Sequence, residues 1–158
     1  MPAKVNFIPQ GASAITPYLS VRNAAEMIDF YKKVFGAVEI MRLKQPDGRI
    51  GHAELKINGA AFMLADEFPE MGIVSPKSIG VQRSPVSIHL YVENVDKVYG
   101  MALAAGATSL REPADQFYGE RHAQVQDPSG HCWDISMQIE EVSPAEMQKR
   151  FDAMMKQG

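Results

Sequence analysis

Apolar and polar positions along the first half of the chain follow the period of a strand, then that of a helix, then that of three further strands. The strand-like segments are residues 15–21, 38–43, 51–57 and 60–65. Residues 24–35 place Met27 and Tyr31 on one face of a helix. Asn58 and Gly59 separate the last two strands and form a typical hairpin turn. This half therefore predicts a β-α-β-β-β unit.

The second half predicts the same order of elements. Its strand-like segments are residues 86–92, 107–111, 120–126 and 131–137. A helical pattern over residues 95–105 follows the first of these strands. His52 stands sixteen positions after Gly36, and His122 stands sixteen positions after Gly106. Equal spacing of like residues indicates a duplicated unit, so equivalent positions are expected to serve equivalent elements.

Two helix starts are marked by capping residues. Asn23 precedes the first helix as an N-cap, with an acidic residue three positions later. Ser143, Pro144 and Glu146 combine an N-cap, a first-turn proline and a capping-box glutamate. They predict a C-terminal helix over residues 144–157.

These patterns predict an α+β fold built from two tandem β-α-β-β-β modules plus a C-terminal helix. Module one covers residues 15–66 and module two covers residues 86–138. The linker, residues 67–85, is long and rich in proline, which is typical of functional connections.

Composition excludes several classes of partner. The chain has 158 residues and a net charge of −3, which argues against nucleic acid and anionic membranes as partners. No apolar run is long enough to span a bilayer, and the first residues lack a signal-peptide pattern. Cys132 is the single cysteine, so no intrachain disulfide can form. We therefore expect a cytoplasmic protein.

Five segments together resemble the vicinal oxygen chelate superfamily of glyoxalases, bleomycin and fosfomycin resistance proteins and extradiol dioxygenases, and within it the PhnB-like branch. They are residues 28–36, 52–55, 64–69, 89–92 and 127–131 (IDFYKKVFG, HAEL, LADEFP, HLYV and DPSGH). The resemblance implies one glyoxalase-like domain over residues 15–143, a cupped mixed β-sheet and a homodimer. It leaves the activity open, because this fold carries unrelated chemistries.

The metal-dependent members of the superfamily hold a divalent ion through four strand residues. The resemblance carries those positions onto Thr16, Met63, Ser87 and Asp134. A hydroxyl, a thioether, a second hydroxyl and one carboxylate make a poor set of ligands for a divalent metal. We therefore expect no metal at this place and no other cofactor. The alternative is a divalent metal in a displaced site that uses residues such as His52, Glu54, His89 or Asp134.

The favoured hypothesis is a protein that binds a small amphipathic molecule in the sheet cup without a conventional metal. The expected ligand-binding residues are Met41, His52, Glu54, Met63, His89, Tyr91, Tyr118, Arg121, Asp134 and Met137. If the protein is an enzyme, the expected classes are a glyoxalase-like lyase or isomerase and a dioxygenase. Without a metal, His89 and Asp134 are the candidates for an acid and base pair.

The remaining histidines and aromatic residues fit structural roles. His122 and His131 are expected to hydrogen bond within the strands, while pocket and structural roles are equally open for His89. Alternation along the strands places Phe62 and Trp133 on the face that the helices cover.

Overall fold

The chain forms two compact units, Met1–Gln82 and Arg83–Gly158, in a computed structural model that describes residue 1 and residues 5–158. Each unit contains one β-α-β-β-β module with a four-stranded mixed sheet. The two sheets and three helices confirm the predicted α+β fold and its C-terminal helix.

Module one follows the predicted order of elements. Its elements are β1 (Tyr18–Val21), α1 (Ala24–Phe35), β2 (Val38–Lys44), β3 (Ile50–Ile57) and β4 (Ala60–Asp66). The strands lie in the order β1-β4-β3-β2, with β1 parallel to β4 and the other pairs antiparallel. A short 3-10 turn, Pro69–Met71, follows β4.

Module two repeats this arrangement with the strand order β5-β8-β7-β6. Its elements are β5 (Ser87–Tyr91), α2 (Val95–Ala104), β6 (Thr108–Asp115), β7 (Glu120–Gln126), β8 (Cys132–Gln138) and the C-terminal helix α3 (Pro144–Met155). Strand β6 extends beyond the predicted residues 107–111 because its pairing with β7 continues through Asp115 across two register shifts. No helix in the described part of the chain has the length and apolar character needed to cross a membrane.

The core of each module lies between its sheet and its helix. Leu55 and Leu64 on the first sheet are fully buried, as is Tyr31 on α1, whose ring meets the ring of Phe62 edge to face. In module two, Trp133 is 1% exposed, which confirms its predicted place in the core. Because successive residues of a strand point to opposite faces, the other side chains of each sheet form a helix-free face, here called the open face.

The two predicted helix caps differ in the structure. Ser143 Oγ accepts a hydrogen bond from the Glu146 amide at 3.2 Å, as the capping-box pattern predicts. Asn23 takes the N-cap position but has a left-handed backbone and makes no side-chain cap. The carboxylate of Asp66, at the end of β4, accepts from the Ala24 amide at 2.7 Å instead. A distant side chain therefore stabilises the start of α1.

Candidate functional site

A chain of three hydrogen-bonded side chains lies on the open face of module one. The Tyr18 hydroxyl is 2.8 Å from His52 Nδ1, and His52 Nε2 is 3.1 Å from Glu54 Oε1. Strand β1 supplies Tyr18, and β3 supplies the other two at positions two apart, which share one face. Burial, and then the charge of Glu54, raise the pKa of Tyr18, so its side chain remains a hydroxyl at neutral pH.

Tyr18 also lines a cavity of about 300 Å³. Its other lining residues are Gln45, Gly51, Ala65, Phe68, Met71 and Ile73. Gly51 and Ala65 leave space because they are small, and a Cβ atom built on Gly51 would come within 3.3 Å of the Gln45 side-chain nitrogen. The cavity therefore combines mainly apolar walls with a hydroxyl and an amide, which is the usual composition of a small-molecule site.

The segment after β4 forms one wall of this cavity and is fixed to module one by its own hydrogen bonds. Phe68 and Ile73 exchange two backbone hydrogen bonds, of 2.8 and 3.1 Å. Glu67 Oε1 accepts from the Ser75 amide at 2.7 Å, and Asp66 Oδ2 accepts from the Ile50 amide at the same distance. These carboxylates are engaged with the backbone of their own module, and Phe68 is a buried part of the cavity wall.

A second polar cluster occupies the open face of module two and centres on Asp134. Its carboxylate accepts from His122 Nε2 at 2.9 Å, from Gln124 Nε2 at 2.8 Å and from the Ser87 hydroxyl at 2.5 Å. Arg83 donates to the Gln124 side-chain oxygen in turn. Burial opposes ionisation of Asp134, but the hydrogen bonds from Ser87 and His122 outweigh it, and the pKa of Asp134 lies below its usual value.

His122 is more deeply buried than His89, its neighbour on this face. The two rings are stacked with centroids 6.2 Å apart, and 8% of the His122 side chain is exposed compared with 42% for His89. Among the described residues, His122 Nδ1 and Ser136 Oγ are the buried side-chain atoms without a hydrogen-bond partner. His122 therefore makes the predicted hydrogen bond between strands and also retains an unpaired nitrogen.

His89 has a looser arrangement. Its Nε2 lies 3.6 Å from Glu120 Oε2, and its ring centroid lies 5.0 Å from that of Tyr91. The Tyr91 hydroxyl donates to Glu120 at 2.7 Å, which together with burial raises the pKa of Tyr91. Asp134 is opposite His89 in the strand register, but its direct histidine partner is His122. The expected pair of His89 and Asp134 is thus replaced by His122 and Asp134.

Arg121 and Met137 do not lie on the open face, so the expectation that they line the cup is wrong. They are paired opposite each other on β7 and β8. Met137 is an odd number of residues from Asp134 on the same strand, so the two side chains point to opposite faces. Arg121 forms ion pairs with Asp96 on α2 at 2.6 Å and with Asp115 at 2.8 Å. These contacts place Arg121 on the face that α2 covers, because strand alternation separates it from the neighbouring His122.

The other expected ligand-binding residues lie on the open faces, except Tyr118, which lies in the turn before β7. Met41, Glu54 and Met63 form one row across β2, β3 and β4 through successive pairing. Tyr118 precedes β7. Its pKa is raised mainly by burial and further by the charges of Glu120 and Asp134. Together with Tyr18, the three residues of the row give module one an open face with two thioethers beside a polar chain.

The four positions implied for a metal do not fit a divalent ion. Thr16 donates its hydroxyl to the Ser13 carbonyl at 3.4 Å, and Met63 offers a thioether, a poor ligand for a hard cation. In module two, Ser87 and two other donors already occupy the Asp134 carboxylate. Among the described residues, no group of three His, Cys, Asp or Glu side chains is placed to hold a metal ion.

The sequence patterns missed the residues that complete both clusters. Periodicity does not predict Gln45, Gly51 and Ile73 as site residues, because a cavity depends on the path of a loop. Gln124 carries a signal that was available, since it stands 70 positions after Glu54, at the offset that relates His52 to His122. Phe68 was part of the segment that resembles the superfamily, but its burial follows from the loop.

Comparison with known proteins defines the class of this protein. Residues 13–135 match the family model of the glyoxalase/bleomycin resistance protein/dioxygenase superfamily, and the chain belongs to that family. An uncharacterized protein of Mycobacterium tuberculosis (strain ATCC 25618 / H37Rv) is 44% identical over 148 residues, which cover 92% of this chain and 84% of the relative.

Solved structures with low sequence identity share the fold. TioX from Micromonospora sp. ML1 is 24% identical, with a TM-score of 0.59 over 83% of this chain and 100% of its own. The PhnB protein from Bacillus cereus is 19% identical, with a TM-score of 0.62 over 79% of this chain and 99% of its own. These similarities concern the fold, since the identities are too low to carry an activity across.

Proposed function

We propose that this protein binds a small, mainly apolar molecule on the open face of module one, without a divalent metal. The observation that carries the proposal is the cavity beside the chain of Tyr18, His52 and Glu54. Its volume of about 300 Å³ is at the lower end of the range of known ligand pockets, which suits a molecule of one or two rings. The donor set of the implied metal positions supports binding without a metal.

A screen against a library of one- and two-ring fragments tests the proposal. We expect several fragments to bind, as detected by ligand-observed NMR, and their binding to be lost in Ala65→Phe, whose ring would fill the cavity. The matched control is Ala61→Phe, which adds the same ring on the same strand and face outside the cavity lining. Fragments that bind wild type and Ala65→Phe equally, or an absence of binding fragments, would contradict the proposal.

A metal-free enzyme is the second candidate, and the pair formed by His122 and Asp134 favours it. A carboxylate that orients a histidine, whose other nitrogen is unpaired, is a common arrangement for a general base. The His122 side chain would then take a proton at Nδ1 while Asp134 holds Nε2–H. Conversion of a compound that binds at the open face of module two, stopped in Asp134→Asn, would select this candidate over simple binding in module one.

Three finer assignments belong to the same proposal. Placement in the PhnB-like branch is supported by the similarity to the Bacillus cereus PhnB protein. A homodimer is supported by the family resemblance and by the exposed apolar side chains of α3, among them Phe151 and Met154. A cytoplasmic location is supported by the single cysteine, which is buried and has a raised pKa because of that burial.

A further inference from the structure

The hydrogen-bond chain of module one fixes the direction in which the Tyr18 hydroxyl points its proton. An ionised carboxylate only accepts hydrogen bonds, so His52 Nε2 donates to Glu54. In the neutral imidazole, Nδ1 is then the acceptor, and the Tyr18 O–H donates to it. The lone pairs of the Tyr18 oxygen remain for a further partner. The Tyr18 oxygen can therefore accept a hydrogen bond from a ligand in the cavity that this residue lines.

The rest of the cavity does not impose a polarity or a charge. Gln45 carries both an amide donor and a carbonyl acceptor, so it serves either kind of ligand. Arg49 stacks over the Phe68 ring at 4.3 Å, but its guanidinium is paired with Asp47 at 2.8 Å and with Glu70 at 2.9 Å. The cation near the cavity wall is thus neutralised. Tyr18 is therefore the residue that distinguishes a ligand with a hydrogen-bond donor from one with an acceptor.

We infer that the module-one cavity selects neutral aromatic molecules that present an N–H or O–H donor to Tyr18, and discriminates against isosteres that present only an acceptor. This inference rests on the proposed function, because it concerns the ligand of the same cavity. The discrimination arises because an acceptor-only ligand would bring two oxygen lone pairs together at Tyr18. Such a mismatch leaves polar atoms without partners, which costs more than a hydrogen bond gains.

Indole and benzofuran are suitable probes because they have nearly the same shape and differ in an N–H replaced by an ether oxygen. Their affinities can be measured at pH 8 from the NMR shift of the labelled methyl group of Met71, which lines the cavity. We expect indole to bind about tenfold more tightly than benzofuran. Met27, buried on α1 on the helix-covered side of the module-one sheet, is the internal reference and is expected not to shift.

Two variants test the direction of the hydrogen bonds that join Tyr18, His52 and Glu54. In Tyr18→Phe the acceptor is gone, and the ratio of the two affinities should fall to about one. In Glu54→Gln the new amide can donate to His52 Nε2 and reverse the tautomer, which frees the Tyr18 proton, so the preference for indole should fall at least several-fold. Tyr99→Phe removes a hydroxyl that bonds Ser109 in module two and should keep the wild-type ratio.

The outcomes separate this inference from the proposed function. Equal binding of both probes to the wild-type protein, or an unchanged ratio in Tyr18→Phe, would overturn the donor preference while leaving a binding cavity in place. If neither probe moves the Met71 methyl group at millimolar concentration, the cavity is not a binding site for such rings. Both the inference and the proposed function would then be wrong.

Discussion

Two histidines at equivalent positions of the repeat have carboxylate partners of different origin. His52 is bonded to Glu54, two residues further along its own strand, and the Tyr18 hydroxyl meets its other nitrogen. His122 is bonded to Asp134 on the neighbouring strand, and its other nitrogen is buried and unpaired. The two modules therefore have an imidazole at the same position of the repeat, but the surrounding side chains give each imidazole different hydrogen-bond partners.

Asp134 makes a testable contribution to stability. Its carboxylate is 13% exposed and accepts hydrogen bonds from Ser87, His122 and Gln124. Asp134→Asn should lower the free energy of unfolding at pH 7 by about 2 kcal/mol, because hydrogen bonds to a charged group are lost. Urea titration measures this change. Glu112→Gln, at an exposed position on β6, is the control and should change stability by less than about 0.5 kcal/mol.

The same carboxylate predicts the sign of the pH dependence. The pKa of Asp134 is lower in the folded protein than its ordinary value, so its stabilising effect is present above about pH 4 and is lost as the pH falls through the folded pKa. We expect wild type to lose more stability than Asp134→Asn between pH 5 and pH 3, because the wild-type carboxylate takes up a proton more readily in the unfolded chain than in the folded protein over this interval. Equal losses in the two proteins would show that Asp134 is not held ionised by its donors.

At the scale of elements, periodicity and capping patterns predict the eight strands and three α-helices of the described residues, but only part of the contacts that join them. The cap of α3 was readable from sequence because Ser143 and Glu146 lie within one turn. The cap of α1 was not, since Asp66 is 42 residues from the amide that it accepts. The same limit applies to the cavity, whose wall at Phe68 and Ile73 depends on loop hydrogen bonds. Sequence patterns predict hydrogen bonds between residues that are close in sequence, whereas the site depends largely on contacts between residues that are far apart in sequence.

Gly119, in the turn between β6 and β7, is expected to be the least replaceable glycine of module two. Its φ is +85°, and an added Cβ would lie 2.4 Å from the Glu140 carbonyl oxygen and 2.8 Å from Val142. Gly119→Ala should therefore lower the free energy of unfolding by at least about 2 kcal/mol, from strained backbone and overlap.

Gly100 provides the matched control for that change. It lies in α2 with open space around its Cα, and alanine is the better helix former. Gly100→Ala should raise the free energy of unfolding by about 0.5 to 1 kcal/mol. A similar effect of the two substitutions in chemical denaturation would contradict the close approach at Gly119.

At the scale of the whole molecule, a duplicated framework carries two unlike open faces. Module one has a mainly apolar cavity of about 300 Å³ beside the hydrogen-bonded side chains of Tyr18, His52 and Glu54, and module two has mutually bonded polar side chains on its open face. Family membership follows from the matched residues 13–135, and the sequence was sufficient to predict it. The module-one cavity was not predictable from the repeat, because it depends on small residues such as Gly51 and Ala65 and on the path of the segment after β4.

The most direct test of the central claim is a crystal structure of the protein soaked with indole. We expect electron density for the ring between Tyr18 and Phe68, with the indole nitrogen within hydrogen-bond distance of the Tyr18 oxygen. A ring bound only elsewhere, or a cavity that stays without indole density at saturating concentration, would contradict the assignment of module one as the ligand-binding unit.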